Sequence, residues 1–286
     1  MTGQAALAPY SGSPQGFCSQ AQGHRPFPPA REPMPGYLTK QECIAIVGAA
    51  SLQIQSLLDK QQFSDPLGAA QRLGISSATW PLFGLLWPSG THLAARMAAH
   101  VLQPGQRILE VGCGLGLASL VGHRRGADMT ASDCHPLAAQ FLATNLLLNA
   151  LPPMKYQVGE WDQALTQAAG APLDHAQRYE LIIGSDVLYD RDASQALAGF
   201  IDRHATPSCE VWIVDPERGN RPAFSRRLED LGFVTSQIRL DSAATVDAVA
   251  YRGRMLTYRR NDPSGGLGHL GSTGGTGAHG TQAMAT

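Results

Sequence analysis

The chain has 286 residues and a formal net charge of −1 at pH 7. This near neutrality argues against tight, nonspecific binding to a nucleic-acid backbone, which depends on clustered lysine and arginine side chains. The five cysteines are odd in number and form no C-x-x-C pair, so the sequence predicts neither a disulfide framework nor a zinc site. The nine histidines also lack metal-ligand spacing, and we expect no bound metal.

Both ends of the chain have the composition of disordered segments. No Lys, Arg, Asp or Glu occurs from Met1 to Gly23 or from Pro263 to Thr286. Such segments bury too little apolar surface to offset their ordering entropy, so we predict disorder over residues 1–36 and in the Gly-rich tail 261–286. The start also lacks the basic region of a secretory signal, and no apolar run reaches the roughly 18 to 20 residues that span a bilayer. We therefore expect a cytoplasmic protein without membrane contact.

Residues 37–103 are predicted to form a helical N-terminal extension. Thr39-Lys40-Gln41-Glu42 has the pattern of a capping box, and a helix from Thr39 to Lys60 is expected. The apolar residues that recur at helical spacing in it are Ile44, Val47, Ile54 and Leu58. Asp65-Pro66 and Gly74 predict the start and end of a short second helix, and a third is expected over residues 89–102.

Residues 104–260 show the β-α alternation of a single α/β domain. The predicted strands cover residues 107–111, 128–132, 156–158, 181–185 and 210–214, and the predicted helices cover residues 115–125, 136–149, 192–204 and 221–231. Two further strands, at residues 234–240 and 251–258, lack an intervening helix and predict an antiparallel terminal hairpin. The expected fold class is a Rossmann-like, seven-stranded, mostly parallel sheet with helices on both faces.

A glycine-rich turn follows the first of these strands. The run Ile108-Leu109-Glu110-Val111-Gly112-Cys113-Gly114-Leu115-Gly116 has G-x-G-x-G spacing, with the third glycine one residue earlier than in the G-x-G-x-x-G fingerprint of nicotinamide sites. Glycines let the backbone turn sharply and lie against a ligand, and the following helix presents N–H groups to an anion. Glu110 adds a carboxylate for an ammonium group, which no nicotinamide cofactor offers at that place. The sequence therefore predicts a site for S-adenosylmethionine (AdoMet) that includes Glu110, Gly112, Gly114 and Gly116.

Polar residues at the next two strand ends fit the rest of this ligand. Asp133 ends the second strand, where a carboxylate accepts from both ribose hydroxyls; the alternative is an N-cap of the helix that follows. After the third strand, Trp161 is predicted to stack on the adenine and Asp162 to accept from its amine. Trp161 could instead plug the edge of the sheet.

The fourth strand leads into Ser185-Asp186-Val187-Leu188-Tyr189. In an open α/β sheet, ligands lie outside the carboxyl ends of the strands at the switch point. We therefore expect Asp186 to accept hydrogens from an amine nucleophile and Tyr189 to form one wall of the acceptor site. The alternative for these two residues is a helix cap and a core tyrosine.

These motifs together resemble the seven-β-strand protein lysine methyltransferases that carry a D-x-x-Y motif (methyltransferase family 16). The matching segments are Trp87-Pro88-Ser89-Gly90, Glu110 to Gly116, Asp133, Gly159-Glu160-Trp161-Asp162 and Asp186-Val187-Leu188-Tyr189. Trp80-Pro81 and Val214-Asp215-Pro216-Glu217-Arg218 are also similar to the electron-transfer-flavoprotein β-subunit lysine methyltransferases within that group. The chain departs from that subgroup at Glu217, where glycine is favoured, and at Val187-Leu188.

The resemblance implies an AdoMet-dependent methyltransferase with a protein substrate, and the near-neutral charge of the chain favours the absence of a nucleic-acid partner. AdoMet is then held by Glu110, Gly112, Asp133 and Trp161, with Trp87 on the rim and the catalytic residues Asp186 and Tyr189 beside the acceptor. A purely structural role for Trp87 is the alternative. The most favoured acceptor is a protein lysine; a small-molecule N- or O-methyltransferase and a noncatalytic AdoMet-binding scaffold are the other hypotheses. Nothing in the sequence predicts more than a monomer.

Overall fold

The computed structural model describes residues 36–163, 166–167, 178–244 and 250–261. The segments predicted to be disordered lie almost wholly outside these residues, and the division of the chain into segments stays a prediction. Among the described residues, no helix combines the length and the apolar character needed to cross a membrane.

The N-terminal extension begins with a β-hairpin, so the predicted helix from Thr39 to Lys60 is wrong. Strand β1 (Thr39–Ile46) pairs antiparallel with β2 (Ala49–Leu57). Gly48 lies in the turn between them at φ +80°, a conformation that glycine adopts without steric cost. Leu52 and Ile54 are fully buried two residues apart, which is the period of a strand and not of a helix. The helical spacing of the apolar residues predicted a helix, but the tertiary packing of β2 favours a strand instead.

Three short helical elements follow the hairpin. They are α1 (Ala69–Arg72), a 3-10 helix (Trp80–Gly84) and α2 (Pro88–Ala99). The second and third predicted helices are thus present but shorter than predicted. Trp80 is almost completely buried, with its ring centroid 5.7 Å from that of Tyr37 and 5.8 Å from that of Phe83. Phe141 of the main domain joins this aromatic cluster, with its ring centroid 6.0 Å from that of Tyr37 and 5.1 Å from that of Phe83, so the cluster packs the extension against the main domain.

Within the described residues the central sheet has eight strands, because a two-residue strand joins the seven that were predicted. In chain order they are β3 (Arg107–Val111), β4 (Asp128–Asp133), β5 (Lys155–Val158), β6 (Thr166–Gln167), β7 (Tyr179–Ser185), β8 (Ala205–Asp215), β9 (Val234–Arg239) and β10 (Arg254–Arg260). Their order across the sheet is β6-β5-β4-β3-β7-β8-β10-β9. Strands β5, β4, β3, β7 and β8 are parallel, whereas β10 runs antiparallel to both β8 and β9. The predicted fold class and its terminal hairpin are confirmed.

Helices cover both faces of this sheet. The remaining ones are α3 (Leu117–Arg124), α4 (Ala138–Leu148), α5 (Arg191–His204) and α6 (Arg221–Asp230). Successive strand residues point to opposite faces: Ile108 packs in a core with α2, α3, α4 and the hairpin, while Leu109 packs in a second core with α5 and α6. After β3, the chain adds β4 and β5 on one side of it and then β7 and β8 on the other side. The strand order therefore reverses between β3 and β7, which places the ends of β3, β4 and β7 around one crevice.

Asn145 of α4 and Asn149, directly after the end of that helix, join the hairpin to the domain. The Asn145 Oδ1 atom accepts the Gln55 N–H at 2.8 Å, and the Asn149 side chain both accepts the Gln53 N–H at 3.0 Å and donates to the Gln53 carbonyl at 2.8 Å. These amides satisfy backbone groups on the free edge of β2, as a neighbouring strand would. Asn145 Nδ2 also donates to the Leu115 carbonyl at 3.3 Å, so the hairpin is linked to the glycine-rich turn.

Candidate active site

The glycine-rich turn connects β3 to α3 and requires glycine for two reasons. Gly112, Gly114 and Gly116 have φ values of +57°, +51° and +74°, which are unfavourable for residues that carry a Cβ atom. A Cβ on Gly112 would also lie 2.8 Å from Val187 Cγ1, and one on Gly114 would lie 2.7 Å from the Phe83 carbonyl oxygen. The turn therefore packs tightly against both the end of β7 and the N-terminal extension.

A cavity of about 750 Å³ opens beside this turn, within the size range of small-molecule sites. It brings together nine of the ten predicted site residues, namely Trp87, Glu110, Gly112, Gly114, Asp133, Trp161, Asp162, Asp186 and Tyr189. The tenth, Gly116, lies outside the lining and immediately precedes α3, where a Cβ would meet Leu142 Cδ1 at 2.6 Å. Gly116 thus shapes the turn from behind.

Glu110 is a buried carboxylic acid at the end of β3. One carboxylate oxygen accepts the Ser119 N–H of α3 at 2.7 Å. Burial raises the pKa of Glu110 to about 7, because a charged form loses its hydration. A cationic ligand group in the cavity would favour the ionised form again, so the site is suited to an ammonium.

Asp133 at the end of β4 accepts two backbone hydrogen bonds. Its Oδ2 accepts the Gly114 N–H at 2.9 Å and its Oδ1 accepts the His135 N–H at 2.8 Å. Helix α4 has no side-chain cap, so the alternative role of Asp133 as its N-cap is not realised. A carboxylate has about four acceptor positions, which leaves acceptor capacity for ligand hydroxyls.

His135 lines the cavity, a role that the sequence analysis did not predict. Its ring stacks on Phe83 with a centroid distance of 3.6 Å and an interplanar angle of 10°. Burial lowers the pKa of His135 to about 3, so the imidazole is neutral, and its Nδ1 accepts the Leu137 N–H at 3.2 Å. The signal that could have drawn attention to it is its place two residues after the predicted ribose-binding acid.

Both predicted tryptophans line the cavity and are held by hydrogen bonds. Trp87 donates from Nε1 to the Leu82 carbonyl at 2.9 Å, which fixes its ring on the rim. The Trp161 carbonyl accepts from Arg203 of α5 at 2.8 Å. Trp161 also packs against the core below α5, so it has a structural contact in addition to its place in the cavity lining.

Asp186, directly after β7, has an unusual backbone and a charged partner. Its φ is +58°, and its N–H donates to the Val214 carbonyl at 2.8 Å. Its Oδ1 accepts from both Nε and Nη2 of Arg218, each at 2.6 Å. The sequence placed Asp186 correctly at the cavity but gave Arg218 no role, although Arg218 stands in the motif after the fifth predicted strand.

Tyr189 forms the wall beside Asp186. Its side chain is half exposed at the cavity mouth. The partly buried setting raises the pKa of its phenol to about 12, so the hydroxyl keeps its proton and serves as a donor. The alternative of a core tyrosine does not describe Tyr189, because half of its side chain is exposed.

Known proteins resemble this chain in sequence and in structure. The family model described as lysine methyltransferase matches residues 82–229. The electron transfer flavoprotein beta subunit lysine methyltransferase of Xenopus laevis is 27% identical over 144 residues, which cover 48% of this chain and 53% of that protein. Protein N-lysine methyltransferase METTL21A of Danio rerio is 30% identical over 127 residues, which cover 44% and 54%. A crystal structure of magnesium protoporphyrin IX methyltransferase from Synechocystis PCC 6803 aligns over 60% of this chain and 78% of its own, at 18% identity and a TM-score of 0.47.

The aligned part of the chain spans about half the length of these curated relatives. The family model, in contrast, covers the glycine-rich turn and every predicted site residue. The expected resemblance to the lysine methyltransferases is therefore confirmed. The chain belongs to the lysine methyltransferase family.

Proposed function

We propose that this protein transfers a methyl group from AdoMet to the ε-amine of a lysine side chain in another protein. The observation that carries the proposal is that Asp186 and Tyr189 line the same cavity as Glu110 and Asp133. One cavity thus holds acidic residues suited to the cofactor and a carboxylate suited to an acceptor amine. The names of the relatives, which are lysine methyltransferases, support the same conclusion.

The residues of the cavity fit AdoMet. The three glycines of the turn have positive φ values and carry no Cβ atom, so their backbone can lie against a ligand. Glu110 would hold the ammonium and Asp133 the ribose hydroxyls, with Trp161 against the adenine and Trp87 on the rim. When bound, AdoMet supplies an electrophilic methyl group on a sulfonium.

The protein itself orients the acceptor amine and lowers its pKa, so that the ammonium proton is released to solvent as the substrate enters and the neutral amine can attack the methyl group. A lysine amine with a pKa near 10.4 is neutral in only about one molecule in a few thousand at pH 7. Burial lowers the pKa of an amine, and the cavity provides that environment. Asp186 accepts hydrogens from the amine and directs its lone pair, while the protonated Tyr189 hydroxyl bounds the acceptor position. Such alignment is the main source of rate enhancement for a direct transfer.

A labelling experiment tests this function. The purified protein is incubated with radiolabelled AdoMet and an extract of cells that lack it. We expect label in a discrete protein band and recovery of that label as methyl-lysine after hydrolysis, whereas Asp186→Asn should label the band at least about 100-fold more slowly. Label confined to small molecules would instead support the N- or O-methyltransferase hypothesis. Absence of transfer together with tight AdoMet binding would support the noncatalytic scaffold.

The cytoplasm is the location that we propose for this reaction. Among the described residues, Cys113, Cys134 and Cys209 are free thiols. Free thiols are typical of a reducing compartment. Fractionation of cells that express the tagged protein tests the proposal, and recovery in a membrane or secreted fraction would contradict it.

A further inference from the structure

The ion pair between Arg218 and Asp186 engages one side of the carboxylate. Both guanidinium nitrogens, Nε and Nη2, contact Oδ1 at 2.6 Å. Among the contacts of the described residues, none involves Oδ2. The Asp186 side chain is only 10% exposed, and both residues line the cavity. Oδ2 is therefore the oxygen left to meet an acceptor amine.

The backbones on both sides of this pair are held in place. The Arg218 N–H donates at 3.0 Å to Oδ2 of Asp215, a residue with no solvent exposure at the end of β8. The Asp186 N–H donates to the carbonyl of Val214, also in β8. The ends of β7 and β8 thus fix the two partners relative to each other. Such an arrangement sets the direction of Oδ2 before any substrate arrives.

The pairing with Arg218 also reduces the negative charge that Asp186 would present to the acceptor amine. An isolated carboxylate beside the acceptor would stabilise the ammonium form of lysine, which has no lone pair for attack. A guanidinium on the same carboxylate offsets that negative charge, yet it leaves Oδ2 as a hydrogen-bond acceptor. Arginine is suited to this role because it stays charged at all relevant pH values.

We propose that Arg218 is a positioning residue for methyl transfer, which orients Asp186 and cancels its charge so that the acceptor amine stays neutral. This inference rests on the proposed lysine methyltransferase function. Arg218 acts through Asp186 and does not itself contact the reacting atoms. It also affects substrate specificity. A carboxylate whose charge is offset favours a neutral amine, which donates a hydrogen bond, over a cation, which needs a counter-ion.

Other charged and titratable groups surround the pair and bound the pH range of a test. They are Asp215 of β8, Arg221 of α6, Tyr251, Tyr189, Asp190 and Glu217. Burial raises the pKa of Asp215 to about 6, and the pKa values of Tyr189 and Tyr251 are raised to about 12. Measurements between about pH 7 and about pH 10 therefore avoid the titration of these three groups.

The test compares pH profiles of the variants Arg218→Met and Arg218→Lys with the unmodified protein. The rate of label transfer to the protein band labelled by the unmodified protein is measured at saturating AdoMet, and AdoMet affinity is measured separately by calorimetry. In Arg218→Met we expect the limb on which the rate rises with pH to move up by about one pH unit, with AdoMet affinity changed less than about threefold. Arg218→Lys keeps the positive charge, so its rate should rise over nearly the same pH range as that of the unmodified protein. Its maximal rate should still be lower.

Arg259→Met is the matched control, since Arg259 is an exposed arginine that pairs with Glu210 at 3.1 Å and not with Asp186. Its profile should coincide with that of the unmodified protein. A rate loss in Arg218→Met that is equal at every pH would overturn the proposal while leaving the methyltransferase function intact. If the unmodified protein labels no lysine, the function itself fails, and that result is distinct from an unshifted profile.

Discussion

The Asp133 carboxylate accepts the backbone N–H of Gly114 at 2.9 Å. This bond ties the end of β4 to the glycine-rich turn after β3, although 19 residues separate the two positions in the chain. The bond therefore couples the position of Asp133, the acid predicted to bind the ribose, to the position of the turn predicted to lie against the cofactor. A change in either residue is expected to disturb the other.

Replacing Gly114 by alanine tests the shape of the turn. The new Cβ would lie 2.7 Å from the Phe83 carbonyl oxygen, so backbone must shift, and we expect AdoMet affinity to fall at least about tenfold by calorimetry. Gly126→Ala is the matched control, because its φ of +83° is also positive but nothing lies within 4 Å of a Cβ there. The control should lose about 1 kcal/mol of stability and keep its affinity. Equal affinities in the two variants would contradict the prediction.

Glu110 should make the ligand-free protein less stable as pH rises. Its pKa is raised from 4.5 to about 7 by burial, so the folded state binds the proton more tightly than the unfolded state. The free energy of unfolding should therefore fall between about pH 4.5 and about pH 7, by at most about 1.4 kcal/mol per pH unit. Below this window the contribution is fully present, and above it the contribution is lost.

Glu110→Gln isolates this effect, since the amide keeps an oxygen for the Ser119 N–H. Urea unfolding at about pH 5 and about pH 8 should show a smaller decrease in the variant than in the unmodified protein. The comparison is needed because His135, with its lowered pKa, changes stability in the opposite direction over part of this range. The same variant should bind AdoMet more weakly. Identical pH dependence in both proteins would refute a raised Glu110 pKa.

The link from the hairpin to the turn predicts different effects for Asn145 and Asn149. Asn145→Ala removes the bonds to Gln55 and to the Leu115 carbonyl at a fully buried site, and should cost about 1 to 3 kcal/mol of stability as well as AdoMet affinity. Asn149→Ala removes the bonds to Gln53 where water can replace them. It should lower stability less and leave AdoMet affinity unchanged. Urea unfolding and calorimetry of both variants measure this, and equal losses of affinity would disprove the coupling.

Asp186→Asn should separate catalysis from cofactor binding. Asparagine tolerates the φ of +58° at this position better than alanine does, so the backbone is preserved. We expect the maximal rate of methyl transfer to fall by about 100-fold or more, with AdoMet affinity within about threefold of normal. A large loss of AdoMet binding would mean that Asp186 serves the cofactor and not the acceptor.

Local patterns in the chain were sufficient for much of the main domain. The alternation of apolar runs and helical stretches predicted β3, β4, β5 and β7 within one or two residues. The signal is clearest for β3 and β7, which are buried on both faces and are rich in apolar residues. Strand ends with acids at Glu110, Asp133 and Asp186 then predicted which side chains meet, since parallel strands end at the same edge of a sheet.

The N-terminal hairpin could not be predicted in this way. Ile44, Val47, Ile54 and Leu58 have helical spacing, but the edge of β2 is satisfied by Asn145 and Asn149, some 90 residues further along the chain. Contacts over that separation leave no local signal. The two-residue strand β6 was missed as well, because a segment so short has no detectable periodicity.

The sequence alone determined the fold class, the turn that carries Gly112 and Gly114, and the acids at the strand ends, because these depend on local periodicity and on backbone conformations that only glycine adopts freely. The tertiary structure alone decided that His135 stacks on Phe83 in the cavity wall and that Arg218 pairs with Asp186. Both contacts join residues that are distant in the chain and adjacent only after the sheet has formed. Electrostatic partners of this kind depend on three-dimensional distance, which sequence spacing does not encode.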